Sequence, residues 1–174
     1  MGVELELIRG DITQVKADAL VSAANSALRG GGGVDGAIHA AAGPKLLAAC
    51  QRIGGCPTGS AVMTDAFNLE KNGVKHIIHA VGPIWQGGGE REPELLQSAY
   101  RTSLQLAEEA GLKTIAFPSI STGVYGFPLA QAAALALSVM REKNSDDESA
   151  LQKVTFVLFD EGSLNTFSQA AAQI

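Results

Sequence analysis

Short apolar runs bounded by turn residues alternate along this chain with longer stretches whose apolar positions recur at helical spacing. Residues 3–8 alternate polar and apolar side chains, which predicts an edge strand with one wet face. Residues 19–22, 61–66, 76–81, 114–117 and 154–159 are nearly continuous apolar runs and predict buried strands. Between them, residues 34–42, 44–52, 93–110, 128–143 and 163–173 predict helices, with Pro44, Pro93 and Pro128 placed where proline suits a helix start. In the helix after Pro93, Leu96, Ala99, Tyr100, Ser103, Leu104 and Ala107 share one face, expected against a sheet, whereas Glu92, Arg101 and Glu108 fall outside it. Residues 141–149 are charged and polar and predict a solvated helix end followed by a surface loop.

This alternation predicts an α/β fold with a mixed, mostly parallel sheet and helices on both sides. Ligands of such sheets bind outside the carboxyl ends of the strands. Four unusual loops follow predicted strands: Gly10-Asp11-Ile12-Thr13, a glycine loop beginning at Asn25, residues 119–128, and Phe159-Asp160-Glu161. If the strands run parallel, the four converge on one rim.

The glycine loop reads Asn25-Ser26-Ala27-Leu28-Arg29-Gly30-Gly31-Gly32-Gly33-Val34-Asp35 and sits between a strand and a helix. Glycines let the backbone approach a ligand closely, and the free N–H groups of a helix's first turn attract anions. A linker is a poor account of it, because linker glycines come with serine and charge rather than wedged between apolar elements. Gly31, Gly33 and Gly36 also fit the dinucleotide fingerprint, but Asn25 to Gly30 intervene after the strand. The acidic residue that fingerprint needs about 20 positions on is missing, since Gly54-Gly55-Cys56-Pro57 stands there. Asp35 is the odd member. A carboxylate beside a bound phosphate either faces away or does chemistry.

Composition narrows the partners. At 174 residues the chain reads as one domain, long enough to bury a core without disulfides or metal. With 46% hydrophobic and 18% charged residues it reads as compact and soluble. A net charge of −5 excludes a general grip on nucleic acid, which needs clustered Lys and Arg, so backbone N–H groups must hold any anionic ligand. Two cysteines make no disulfide framework, no secretory signal opens the chain, and Glu6 stands where N-myristoylation wants Ser or Thr. No apolar run approaches the ~20 residues of a membrane span. The expectation is a cytoplasmic protein without membrane attachment.

The loop at 119–128, Ser-Ile-Ser-Thr-Gly-Val-Tyr-Gly-Phe-Pro, is a second anion cradle ahead of a helix, and two cradles suit a diphosphate. Asp11 can accept from an exocyclic amine such as that of adenine, although Asp-x-Thr equally reads as a helix N-cap. His39, Cys50, Cys56, His76 and His79 have spacings that fit no common zinc site, and no metal or cofactor is expected. His39 reads as a packed helix residue and Trp85 as a surface plug. Neither a G-x-S-x-G elbow nor a P-loop is present, which leaves serine-hydrolase and NTPase readings without support.

Gly10-Asp11-Ile12-Thr13, the block from Ala23-Ala24-Asn25 to His39, Pro57-Thr58-Gly59, His79-Ala80-Val81-Gly82-Pro83 and residues 119–128 together resemble the macrodomain family in order and spacing. The glycine block with Val34-Asp35-Gly36 is similar to the MacroD-type branch in particular. The resemblance covers nearly the whole chain. It implies a three-layer α/β/α macrodomain that binds ADP-ribose, and in this branch a hydrolase acting on O-acetyl-ADP-ribose and on mono-ADP-ribosyl esters of acidic side chains. By position it implies that Asp11 holds the adenine amine, with Ile12 beside the ring and Phe159 stacked on or flanking it. Asn25 would bond the distal ribose, Gly33, Val34 and Asp35 would line that ribose and the diphosphate, and Thr122, Gly123, Val124, Tyr125 and Gly126 would wrap the diphosphate.

Two positions depart from the family pattern. Ser22 stands where a second Asn is common, and Ala40 replaces a basic residue; both are expected to lie clear of Asn25 and Asp35. For the chemistry, Asp35 is the only carboxylate inside the cradle and so the candidate base for a water, with Asn25 orienting the sugar. A ligand phosphate oxygen is the alternative proton acceptor. The competing functions in the same pocket are a reader of ADP-ribose that never turns over and an ADP-ribose 1″-phosphate phosphatase. ADP-ribosylated proteins are the further partner the resemblance suggests.

Overall fold

A computed structural model describes residues 2–143 and 149–173. Six strands form one sheet in the order β1-β6-β5-β2-β4-β3. They are β1 (Glu4–Arg9), β2 (Ala19–Ala23), β3 (Ala61–Asp65), β4 (His76–Ala80), β5 (Thr114–Phe117) and β6 (Lys153–Leu158). All pairings are parallel except that of β3 with β4. Five helices, α1 (Gly33–Ala42), α2 (Pro44–Ile53), α3 (Glu92–Glu109), α4 (Leu129–Lys143) and α5 (Glu161–Ala171), cover its two faces.

The side-chain period of two sorts each strand between the faces. On β2, Ala19 and Val21 join the core beneath α3, α4 and α5, whereas Leu20 joins the core beneath α1 and α2. On β4, Ile78 and Ala80 take the first face and Ile77 the second. Ser22 and His79, two residues after Leu20 and Ile77, therefore point toward α1 and α2 as well. The larger core holds the aromatic residues: Tyr100, Phe117, Phe156 and Phe167 are all buried, with neighbouring rings 5.3–5.9 Å apart. This is a three-layer α/β/α sandwich on a mixed, mostly parallel sheet.

Departures from the expected elements are local. β3, expected as a buried strand, is the antiparallel edge, although both its faces are partly covered, with Ala61 buried on one and Thr64 on the other. Two short 3₁₀ helices, Ile12–Gln14 and Phe67–Asn72, have no periodic signal at that length; the Asp11 cap is the visible trace of the first. Glu92 does not lie on a wet face. It is buried at the start of α3 and accepts from the backbone N–H groups of Gln86, Gly88 and Glu90 at 2.6–2.9 Å. Burial alone would raise its pKa, but these N–H donors pull it down to about 2. The solvated helix end ends in α4 at Lys143, and residues 144–148 of the expected loop lie outside the described residues.

Candidate functional site

Five parallel strands put their carboxyl ends on one edge, and the loops after β2 and β5 meet there. β2 and β5 are neighbours, yet the chain leaves β2 toward α1 on one face and β5 toward α4 on the other. Such a switch point opens a crevice. Here it is a cleft of about 350 Å³ lined by residues 23–25 and 31–35, by Gly82 after β4, and by residues 119–121 and 123–125. No Lys or Arg is among these lining residues. Polar recognition of an anion would fall to backbone N–H groups and to neutral side chains such as Asn25 and Ser121.

The glycine loop is shaped by Asn25. Its amide nitrogen donates to the Gly30 carbonyl at 2.9 Å and its amide oxygen accepts from the Arg29 N–H at 3.1 Å. Leu28, buried and left-handed at φ 55°, plugs the loop into the core. The loop then folds onto α1 so closely that a Cβ on Gly36 would overlap the Gly31 carbonyl oxygen. Gly32 caps α1 without a side-chain hydrogen bond, so the N–H groups of the first turn have no capping partner.

Asp35 sits in that first turn and is buried, with 4% of its surface exposed. Its Oδ1 accepts from the Ser22 hydroxyl at 2.6 Å and lies 3.6 Å from His39 Nε2. Its Oδ2 faces Gly31 in the glycine loop. The carboxylate is thus held by one oxygen and presented by the other.

The opposite wall is the β5–α4 loop. Gly126 N–H donates to the Gly123 carbonyl and Phe127 N–H to the Ser121 carbonyl, both at 3.0 Å. Ser121 is left-handed at φ 70°, and its buried hydroxyl has no partner. Strain of this kind, roughly 1–3 kcal/mol, collects in ligand loops. The root of the loop is fixed from α3, where the Tyr100 hydroxyl accepts from the Ile120 N–H at 2.9 Å.

Comparison with known proteins follows this geometry. The Macro domain family model matches residues 21–136. A Macro domain-containing protein of Lactiplantibacillus plantarum is 52% identical over 99% of this chain and 98% of its own. The chain belongs to the macro domain family. An O-acetyl-ADP-ribose deacetylase of Enterobacter cloacae is 49% identical over 99% of this chain and 96% of its own. A point mutant of the Oceanobacillus iheyensis macrodomain, solved with ADPR, superposes with a TM-score of 0.90 at 42% identity, over 97% of this chain and 92% of that one.

In this macrodomain, Asn25, Gly33, Val34, Asp35, Gly123, Val124 and Tyr125 line the cleft, whereas Asp11, Ile12, Thr122, Gly126 and Phe159 do not. Thr122 turns its hydroxyl to Ser119 Oγ at 2.7 Å, and Gly126 closes the turn. Asp11, Ile12 and Phe159 lie further along the rim, where β1 and β6 end side by side and Gly10 N–H donates to the Leu158 carbonyl. Asp11 Oδ1 accepts from Thr13 N–H at 2.9 Å and from its hydroxyl at 2.7 Å, capping the first 3₁₀ helix. Ile12 packs into the core, and Phe159 is 82% exposed.

Two expectations are corrected. Ser22 does not lie clear of Asp35, because the strand period turns its hydroxyl onto that carboxylate. Trp85 is not merely a surface plug; its ring packs on Phe127 with centroids 4.8 Å apart. The fold also joins residues that sequence spacing keeps apart. One donor atom each of His39, Cys50 and His79 lie within 4.8 Å of one another behind Asp35. Burial pushes the Cys50 thiol up to about 11, with Asp35 adding to the shift, and burial followed by His39 lowers His79 to about 4. His79 Nε2 is bonded to Thr64 Oγ1 at 3.0 Å, and Cys50 Sγ lies 3.9 and 3.8 Å from the two ring nitrogens. With the sulfur equidistant from both, neither nitrogen lone pair is aimed at it. Burial thus keeps Cys50 and His79 neutral, with the half-buried His39 beside them. Gly82 and Ser121, which the sequence placed in separate motifs without a role for either, meet here: a Cβ on Gly82 would overlap Ser121 Oγ, so the two loops touch through a glycine.

Proposed function

We propose that this macrodomain binds ADP-ribose in the cleft and hydrolyses its acyl esters, converting O-acetyl-ADP-ribose to ADP-ribose and acetate and releasing mono-ADP-ribose from acidic side chains. The observation that carries this reading is the buried Asp35 carboxylate, fixed by Ser22 and facing the glycine loop. A module that only gripped a diphosphate would gain nothing from a like charge at that place. The deacetylase activity in the name of the Enterobacter cloacae relative supports the same chemistry.

In this reading the diphosphate lies between the first turn of α1 and residues 123–125, held by backbone N–H groups. Adenine reaches the rim, where Phe159 offers an exposed ring and Asp11 has Oδ2 left to accept from the exocyclic amine. The distal ribose sits beside Asn25, whose amide keeps one donor and one acceptor position after its two loop bonds. Water attacks the acyl carbon, the bond from that carbon to the ribose oxygen breaks, and the departing alkoxide takes from Asp35 the proton that the water gave up. Asp35 Oδ2 accepts the proton of the attacking water.

The test is incubation of the protein with O-acetyl-ADP-ribose while free ADP-ribose is measured, with Asp35→Ala as control. Release by the wild type and its loss in the variant is the expected result. No release from any ADP-ribose ester, with ADP-ribose still bound, replaces the hydrolase by a binding module. Full activity in Asp35→Ala moves the proton to a substrate phosphate oxygen.

A further inference from the structure

We infer that Ser22 is a positioning residue that fixes the orientation of the Asp35 carboxylate, so that its other oxygen faces the ligand side, an inference that rests on Asp35 acting as the base. The hydroxyl comes from the middle of the sheet. Ser22 is wholly buried on β2 and paired with His79 of β4, so its Cα has little freedom. From there Oγ donates to Asp35 Oδ1 at 2.6 Å, the shortest contact this carboxylate makes among the described residues.

Its effect is on orientation. An Asp on the first turn of a helix can rotate about χ1 and χ2, and either oxygen could turn toward the helix's own N–H groups. Ser22 and His39 both occupy Oδ1, from the sheet and from one helical turn later, which leaves Oδ2 as the oxygen facing Gly31. His39 at 3.6 Å is too distant for a firm hydrogen bond. The hydroxyl therefore decides the rotamer. A base held this way is ready for a water on the glycine-loop side without reorganising as the proton moves.

The experiment compares Ser22→Ala, Ser22→Thr and the wild type in three measurements: kcat and KM on O-acetyl-ADP-ribose, ADP-ribose affinity by calorimetry, and the crystallographic rotamer of Asp35. Because the hydroxyl orients the base rather than replacing it, kcat of Ser22→Ala should fall by roughly 10- to 100-fold. KM and ADP-ribose affinity should hold, Asp35 should leave its wild-type rotamer, and Ser22→Thr, which keeps the hydroxyl, should restore both kcat and rotamer. In an Asp35→Ala background Ser22→Ala should cost nothing further. Ser22→Ala with an unchanged Asp35 rotamer overturns the inference. So does a fall in kcat and affinity together that Thr fails to rescue, which would make Ser22 a packing residue. If the wild type has no turnover, the hydrolase reading falls while the Asp35 rotamer still decides the role of Ser22.

Discussion

Trp85 is joined to the β5–α4 loop twice: its backbone N–H donates to the Tyr125 carbonyl at 2.8 Å, and its ring tilts against Phe127 at 4.8 Å. The next residues, 86–90, are gathered by the Glu92 carboxylate. A charge at the start of α3 thus braces the outer wall of the cleft without touching it.

Glu92→Gln should therefore lower thermal stability and weaken ADP-ribose binding together. Because the folded pKa of Glu92 is depressed to about 2 from 4.5, its contribution is fully present above pH 4.5 and lost as pH falls through 2. The difference in melting temperature between wild type and Glu92→Gln should shrink steadily across that window. A constant difference from pH 6 down to about 2 would mean the charge is not what holds the loop.

In the proposed mechanism, Asp35→Ala removes the base and one negative charge beside the diphosphate. Turnover of O-acetyl-ADP-ribose should fall by roughly 10²–10⁴-fold, the range for losing a general base. ADP-ribose affinity should hold or improve. Asn25→Ala should damage turnover and affinity alike, because it also releases the Gly30 and Arg29 bonds that shape the loop. Steady-state kinetics beside calorimetry separates the two patterns.

Phe159→Ala should weaken ADP-ribose by roughly 1–3 kcal/mol if the ring stacks on adenine. At 82% exposure the ring contributes little to the core, so the melting temperature should stay put. Ribose 5-phosphate, which lacks the base, should bind both forms alike. Equal losses for the two ligands would remove Phe159 from the adenine site.

ADP-ribose should bind with the same affinity in EDTA as without it, and more tightly than AMP, because in the proposed pose the diphosphate and distal ribose reach both loops of the cleft. Calorimetry showing no heat in EDTA, or equal affinity for AMP, contradicts this.

Residues that act through local patterns were legible in the sequence. The apolar runs place every strand within a residue or two, and glycines between a strand and a helix mark the cleft that Asn25 and Asp35 line. Partners across the sheet were not legible. Nothing near Ser22 in sequence points to Asp35, thirteen positions on, because the contact depends on β2 and α1 being stacked. Glu92 looked solvated because helical spacing describes only its own helix, and the loop that buries it is irregular. β3 resembles a buried strand in composition, and only the pairing order shows it to be an edge.

The sheet order has a consequence for how the protein comes to be functional at all. The two walls of the cleft stand on β2 and β5, whose junction includes a hydrogen bond from Asp18 N–H to Thr114 Oγ1 across 96 positions. β5 is in turn flanked by β6, which pairs with β1, and Thr155 bonds Glu6 across 149 positions. Those pairings join segments that lie far apart in the chain, so neither wall can be set against the other until β5 and β6 have been made. A chain still emerging from the ribosome has its glycine loop long before it has a second wall to set against it. An N-terminal fragment ending before β5 keeps the glycine loop but lacks residues 119–125 of the cleft, and should not bind the ADP-ribose proposed to lie there.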